Sequence, residues 1–297
     1  MIPRTVRIVV LCAVLSVLAG QAFGQETVRL EYKFKQGELL RYKMVMNATI
    51  NMQMSMPDGS SGQMPSIPMQ MVGVMRQRTR KVLPNGDAEV AYAFESMKVI
   101  AGTMTQQSPT EKIPVMTMVI SKNGVPKSIQ GLEKLGGQSG YTQFISPETL
   151  GQYGALPEGD LKVGDTWSQD VPFPIGGRLQ MSGKLLSTDT KLGSYTVATF
   201  EQNTGGDINM NIPVPMPSNG APSTGGNVGA NGEFLGDTTV YFSLEEGKMI
   251  RTSGRATLQM KVDIAGAAGT GNANAPGGID MNMDMNFEMF LLPGQAK

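Results

Sequence analysis

Hydrophobic and polar residues alternate strictly over a long segment near the start of this chain. From residue 40 to residue 56 the odd positions are mostly polar, whereas the even positions carry Leu40, Tyr42, Met44, Met46, Ala48, Ile50, Met52, Met54 and Met56. Because successive side chains of a strand point to opposite faces, a period of two places all the even side chains on one face. A helix would distribute the same methionines around its circumference. The pattern therefore predicts a long strand with one apolar face and one polar face.

The same alternation returns in two segments near the end of the chain. In the first segment the odd positions are apolar and the even positions are polar. The apolar residues are Met281, Met283, Met285, Phe287, Met289 and Leu291, and the polar residues are Asn282, Asp284, Asn286 and Glu288. In the second segment the even positions are apolar and carry Ala256, Leu258, Met260, Val262 and Ile264. One apolar and one polar face is typical of antiparallel sheets.

Turn residues separate shorter alternating segments. Asn85-Gly86, Asn123-Gly124 and Glu246-Gly247 each lie between two such segments. Asn-Gly is typical of hairpin turns because both residues tolerate positive φ. The chain is therefore predicted to be all-β and mainly antiparallel, with about ten to thirteen strands in a curved sheet or open barrel.

Residues 25–297 are predicted to form a single β domain made of two pseudo-repeats, about 27–130 and 160–292. Lys35-Gln36-Gly37-Glu38 in the first corresponds to Lys162-Val163-Gly164-Asp165 in the second. A connector, residues 131–159, is predicted to be partly helical because Ser146-Pro147-Glu148 is a typical helix start. Three stretches rich in Gly, Pro, Ser and Asn, residues 57–68, 203–236 and 265–279, are predicted to be long loops, with a lid over a cavity as the alternative.

The N-terminus carries the features of a secretory signal. Arg4 and Arg7 precede an apolar run from Ile8 to Leu18, and Ala22-Phe23-Gly24 supplies a small-x-small cleavage site. Residues 1–24 are therefore predicted to be removed on export, which places the protein in the periplasm or outside the cell. The apolar run is short for a bilayer span, so no transmembrane segment is expected after signal removal.

Composition narrows the classes of function. The chain has no histidine, and its single cysteine, Cys12, lies in the predicted signal. Disulfides, zinc sites and the catalytic arrangements that need histidine or cysteine are therefore not expected, and neither enzymatic activity nor a cofactor is predicted. Lysine plus arginine equals aspartate plus glutamate at 25 each, which disfavours a nucleic-acid partner.

Two short motifs carry a resemblance to a known group of proteins. The segment from Leu30 to Glu38, together with Val163-Gly164-Asp165-Thr166-Trp167, resembles a family of secreted bacterial proteins of unknown function. The resemblance implies export and β structure. It implies no catalytic residues, because none are established for that family.

Methionine is the outstanding feature, with 23 in the chain. The simplest interpretation is that these flexible side chains fill an apolar core. A second is that they line a site for an apolar small molecule or for an apolar segment of an envelope protein, with the binding residues Met44, Met46, Met52, Met54, Met281, Met283, Met285 and Trp167. A third is a soft-metal site for Cu(I) or Ag(I) at Met52, Met54 and Met56, since thioethers are soft ligands.

Two further hypotheses stay open at this stage. Trp167 is interpreted first as a core anchor after a turn and second as a platform for a ligand. Asp280, Asp284 and Glu288 are interpreted as the solvated face of a strand, with a calcium site as the alternative. The function hypotheses are an exported non-catalytic binding protein, a methionine-rich Cu(I)-binding protein, and a structural component of the cell envelope.

Overall fold

The computed structural model describes residues 27–55, 60–107, 115–131, 155–172, 177–214, 226–263 and 278–294. Within these ranges the chain forms only strands and turns. The strands are β1 (Val28–Arg29), β2 (Leu39–Ser55), β3 (Ser61–Gln63), β4 (Ile67–Val82), β5 (Ala88–Ala101), β6 (Met104–Gln107), β7 (Met116–Ile120), β8 (Pro126–Gln130), β9 (Asp160–Leu161), β10 (Thr166–Pro172), β11 (Gly177–Leu192), β12 (Tyr195–Val214), β13 (Gly226–Ser243), β14 (Lys248–Asp263) and β15 (Gly278–Leu291).

Thirteen of these strands form one sheet, and β1 pairs with β9 in a second, two-stranded sheet. The order in the large sheet is β10-β11-β12-β13-β14-β15-β2-β4-β5-β7-β8, while β3 pairs with β2 and β6 with β5. Every pairing is antiparallel. The prediction of an all-β, antiparallel protein is confirmed, and the sheet is open rather than closed into a barrel.

The pairing of β15 with β2 joins the two ends of the sequence in the middle of the sheet. Met281 lies opposite Met52, and Leu291 lies opposite Tyr42. The two predicted pseudo-repeats remain a prediction, and the predicted signal and the helical start at residue 146 lie outside the described residues. No helix able to cross a bilayer is found in the part of the chain that the structure describes.

The predicted hairpins form, but their turns differ from expectation. Gly86, Gly124 and Gly247 have φ values of 86°, 82° and 58°, whereas no residue other than glycine has positive φ in the described ranges. Gly86 N donates to Leu83 O at 2.9 Å and Leu83 N donates to Asp87 O at 2.7 Å. Asn85 therefore has negative φ, and the αL glycine that follows it closes the turn.

The prediction of a long loop over residues 203–236 is wrong for its described parts. Residues 203–214 belong to β12 and residues 226–236 belong to β13, which pair along their whole length. Residues 203–208 also pair with β11 and residues 229–236 also pair with β14, so backbone hydrogen bonds hold this glycine-rich segment extended despite its low strand propensity. The predicted loops over residues 57–68 and 265–279 are likewise wrong in part. Residues 61–63 form β3, residues 67 and 68 begin β4, and residues 278 and 279 begin β15.

One face of the large sheet is apolar across the strands. Register places one row through Leu185, Phe200, Val240, Thr252, Met289 and Met44. A parallel row contains Met260, Met281 and Met52. The intervening rows carry the polar side chains on the opposite face. The alternation seen in sequence thus continues between strands, because antiparallel partners directly opposite each other share a face.

The residues that precede β2, residues 30–38, form a cap segment at one end of the sheet. Tyr32 N donates to Lys122 O at 2.7 Å, in the β7–β8 turn, and Lys33 N donates to Gly247 O at 2.9 Å, in the β13–β14 turn. Consecutive Cα atoms are only about 3.8 Å apart, so these two turns lie close together. In a flat sheet, strands β14 and β7 would be about 24 Å apart, at roughly 4.8 Å per strand. The sheet therefore curls around the cap segment.

Two buried clusters attach the cap segment to the apolar face. Leu30 is fully buried and packs with Leu185, Phe200 and Phe242 on β11, β12 and β13. Phe34 packs against the buried cluster of Ala88, Val90, Met118 and Ile120 on β5 and β7. Because these clusters belong to opposite halves of the sheet, the apolar face lies on the inside of the curl at this capped end.

The buried carboxylate of Asp87 stabilises the β4–β5 turn at the capped end. Lys127 Nζ donates to Asp87 Oδ2 at 2.6 Å and Asn85 Nδ2 donates to the same oxygen at 2.8 Å. The hydrogen bond from Lys127 lowers the pKa of Asp87 below its ordinary value of 3.8, even though burial acts in the opposite direction. The charged form of Asp87 is thus favoured by folding.

Asp87→Asn is expected to destabilise the protein at neutral pH by about 1.5 kcal/mol, the low end of the range for hydrogen bonds to charged groups. Since the pKa is lower in the folded state, this stabilisation is present above the unfolded pKa and is lost as the pH falls through the folded pKa. Urea denaturation at a series of pH values should show the two stability curves converging below pH 3.8. A gap that persists undiminished well below this pH would contradict the assignment.

Candidate functional site

The apolar face beyond the capped end carries a continuous set of methionines on four adjacent strands. We call it the methionine surface; it consists of Met69 and Met71 on β4, Met44, Met46, Met52 and Met54 on β2, Met281, Met283 and Met285 on β15, and Leu258 and Met260 on β14. All seven methionines predicted to bind a ligand lie on it. Pairing of β15 with β2 brings the two predicted groups together, with Met283 opposite Ile50 and Met285 opposite Ala48.

The side chains of the methionine surface are half-buried. None of them is fully buried, in contrast to Met116, Met118 and Met181, which belong to buried parts of the sheet. The polar positions between them on β15, from Asp280 to Asn286, are exposed on the other face. The methionines are therefore neither a sealed core nor solvent-directed side chains, and the surface they form is available for contact.

The size of the methionine surface can be estimated from strand geometry. Met44 and Met54 are ten residues apart on β2, which corresponds to about 33 Å, and four adjacent strands span about 14 Å. The product is about 460 Å², which is within the range of the largest apolar patches on soluble proteins, and such patches are often functional. Its length and narrow width match an extended flexible chain better than a compact molecule.

Cross-strand pairing reveals surface residues that strand-by-strand reasoning missed. Met71 lies opposite Met46, Met69 lies opposite Ala48, and Met260 lies opposite Met281. Their alternation with polar neighbours was visible in the sequence, but the strand order that makes them neighbours of β2 and β15 was not. Met56, predicted as a soft-metal ligand with Met52 and Met54, lies outside the described residues.

Trp167 lies on edge strand β10, away from the methionine surface. It packs against the buried cluster that contains Leu30, and its ring meets Phe200 edge-on at a centroid distance of 5.6 Å. A Cβ on Gly183 would lie 2.3 Å from the indole ring, so only glycine leaves room for this tryptophan. Trp167 Nε1 is buried without a hydrogen-bond partner among the described residues. The geometry favours an anchor for the cap segment over a ligand platform.

The polar face carries the ionisable residues opposite the methionines. Arg251 Nε lies 2.8 Å from Glu288 Oε1, and Arg255 Nε lies 3.5 Å from Asp237 Oδ2. Asp280 and Asp284 are exposed. Within the described ranges no group of three or more His, Cys, Asp or Glu residues is placed to hold a metal ion, so the calcium alternative for Asp280, Asp284 and Glu288 gains no support.

Grooves are found on the polar face and at the capped end. Three shallow grooves of about 630, 820 and 680 Å³ run between rows of polar side chains on β2 and on β11 to β15. The largest groove, about 1260 Å³, surrounds the start of β2 and is lined by Arg41, Arg76, Arg78 and Lys248 among others. Within the described ranges, the methionine surface thus forms an open face and not one of these four grooves.

Ion pairs and buried tyrosines hold the capped end together. Lys248 Nζ contacts Glu38 Oε1 and Glu246 Oε2, each at 3.1 Å, and Lys122 Nζ contacts Glu31 Oε1 at 2.9 Å. Burial raises the pKa of Tyr32 to about 12, so its hydroxyl stays neutral in this dry interior. These contacts join the cap segment to the neighbouring turns, so the described residues cover the apolar face at the capped end and leave the methionine surface uncovered.

Comparisons with known proteins identify no family. No family model and no curated protein matches this chain. Among solved structures, the chain is similar to lipovitellin, in a structure described as "Lipid-protein interactions in lipovitellin", with 8% identity and a TM-score of 0.47 over 89% of this chain. An engineered protein, described under "Asymmetric conductivity of engineered proteins", has 10% identity and a TM-score of 0.19, and the match covers 86% of this chain and 99% of that one.

This chain spans only about a quarter of the lipovitellin chain, 26% of its length. Both TM-scores are below 0.5.

Proposed function

We propose that this protein is an exported, non-catalytic binding protein that holds an extended apolar molecule, such as a fatty acyl chain, on the methionine surface. The observation that carries the proposal is the half-buried state of the methionines on β2, β4, β14 and β15. A structural core would bury them, and a purely solvated surface would not concentrate thioethers on a single face.

Methionine suits this role because its side chain is unbranched and flexible. A surface of methionines can adjust to guests of different shape at low cost, which is why such surfaces bind varied apolar partners. The open face and its length of about 33 Å favour an elongated ligand over a compact one.

Export and the absence of catalysis belong to the same proposal. They are supported by the signal features of residues 1–24 and by a chain without histidine whose single cysteine is Cys12. A periplasmic or extracellular carrier of apolar molecules needs neither a nucleophile nor a metal cofactor.

The test begins with the purified protein. Organic-solvent extraction followed by mass spectrometry should recover a copurified lipid, and the delipidated protein should bind a polarity-sensitive apolar fluorophore saturably. A fatty acid should displace the fluorophore, because both use the same surface. A fluorescence signal that rises without saturation, or that a fatty acid leaves unchanged, would contradict the proposal. Stable capture of an envelope protein without any lipid would favour a partner's apolar segment instead.

A further inference from the structure

One row of the methionine surface places three thioethers on three adjacent strands. Register pairs Met260 on β14 with Met281 on β15, and Met281 with Met52 on β2. Directly opposed residues on antiparallel strands have Cβ atoms about 4.5–5.5 Å apart. Met281 therefore lies between two methionines, each at the distance of a direct cross-strand neighbour.

We propose that Met52, Met260 and Met281 form a binding site for a soft monovalent metal ion, Cu(I) or Ag(I). This inference is independent of the proposed function, because it concerns the sulfur atoms rather than the apolar area. It also differs from the site predicted from sequence, since two of its three ligands come from other strands than β2.

The side chains can converge on one ion. Each methionine has three rotatable bonds between its backbone and its end, so the two outer side chains can lean toward the central strand. All three are half-buried, so an ion can reach them from the open side of the sheet. Met54 on β2 and Met283 on β15 each lie two residues along the same face from a member of the row, and both are candidates for a fourth ligand.

The chemistry of the row selects the class of metal. Thioether sulfur is a soft ligand that prefers Cu(I) over hard ions such as Mg²⁺ or Ca²⁺. Uncharged thioethers leave the charge of the ion uncompensated, so a negative environment helps. The groove on the opposite face of the same strands is lined by Asp207, Glu233 and Asp280 with a single Lys261, which supplies a negative potential through the sheet.

Other rows of the surface lack this arrangement. Met283 lies between Ile50 and Leu258, and Met285 lies between Ala48 and Ala256. Met46 has a single methionine, Met71, on one side and Phe287 on the other. Across the described strands β2, β14 and β15, the row of Met52, Met281 and Met260 is thus the one in which all three residues are methionine.

To measure the affinity for Cu(I), the purified protein is titrated with Cu(I) under reducing conditions in the presence of a competing chromophoric chelator. The unmodified protein should bind one Cu(I) ion with an affinity tighter than micromolar. Met281→Leu should weaken binding by at least about tenfold, because leucine keeps the apolar volume but removes the central sulfur. An affinity weaker than micromolar for the unmodified protein would overturn the proposal.

Met285→Leu is the matched control, on the same strand and face but without a methionine opposite. It should bind Cu(I) as the unmodified protein does; equal weakening by both variants would also overturn the site. The Cu(I) titration contains no apolar ligand and the fluorophore titration contains no metal, so failure of the metal site and failure of the proposed function are distinguishable in the unmodified protein. Ag(I) titration of the same variants should give the same ranking, since both ions are soft.

Discussion

Leu30→Ala is expected to lower the free energy of unfolding by about 3 kcal/mol, within the range for large-to-small changes in a packed core. Leu30 has no exposed surface and packs with Leu185, Phe200 and Phe242. With Phe34, it is one of the residues by which the cap segment packs on the apolar face. Its truncation leaves a cavity between the cap segment and the sheet. Urea denaturation followed by circular dichroism measures the loss of unfolding free energy.

Leu39→Ala is the matched control, because Leu39 follows the same cap segment but is 53% exposed. This change should alter stability by less than about 0.5 kcal/mol. Similar losses for the two variants would show that residues 30–38 do not depend on the buried cluster. If Leu30→Ala also weakens binding of the apolar fluorophore, the curl at the capped end shapes the methionine surface as well.

Met283→Asp is expected to lower the affinity for the apolar fluorophore by at least about tenfold, which corresponds to about 1.4 kcal/mol. Met283 lies in the middle of the methionine surface, between Ile50 and Leu258. A ligand that covers this position would remove the carboxylate from water without offering it a hydrogen-bond donor, and burying an unpaired charge is costly. Since Met283 is half-buried rather than sealed, the folded state should tolerate the change.

Asn282→Asp is the control for charge. It adds the same carboxylate one residue earlier, but on the exposed polar face. Fluorophore affinity should therefore stay within about twofold of the unmodified protein, as expected for a charge outside the contact area. Circular dichroism of both variants shows whether the sheet is intact. Equal affinities for Met283→Asp and the unmodified protein would exclude the methionine surface as the binding site.

The alternation of residues predicted the strands well where one face is apolar. Strand β2 agrees with its predicted segment to within one residue at both ends, and β14 and β15 agree as closely at their C-terminal ends. At their N-terminal ends, β14 begins eight residues and β15 three residues before the predicted segments. A period of two is a local property, so it can be recognised without knowing the partner strand. The turn at Gly86 was likewise predictable, although the φ value of Asn85 was not, because two hairpin geometries share the same Asn-Gly cue.

The glycine-rich strands could not be predicted in this way. Residues 203–214 and 226–236 have weak strand propensity. They are extended because they pair with each other, while β11 pairs with residues 203–208 and β14 pairs with residues 229–236. Gly232 illustrates the reason: its ideal Cβ would lie 2.2 Å from the backbone oxygen of Gln259 on β14. A residue that marks a loop in isolation is here the one that allows two strands to approach closely.

The sequence alone determined that this chain would form antiparallel sheet, which residues of the alternating strands share a face, and that thioethers would dominate the apolar one. These properties follow from the side-chain period within a single strand. The tertiary structure decided which strands are neighbours, that Met52, Met281 and Met260 form one row, and that the cap segment packs at one end of the curl. Such properties depend on contacts between residues more than two hundred positions apart, as between Met52 and Met281, and no local pattern records them.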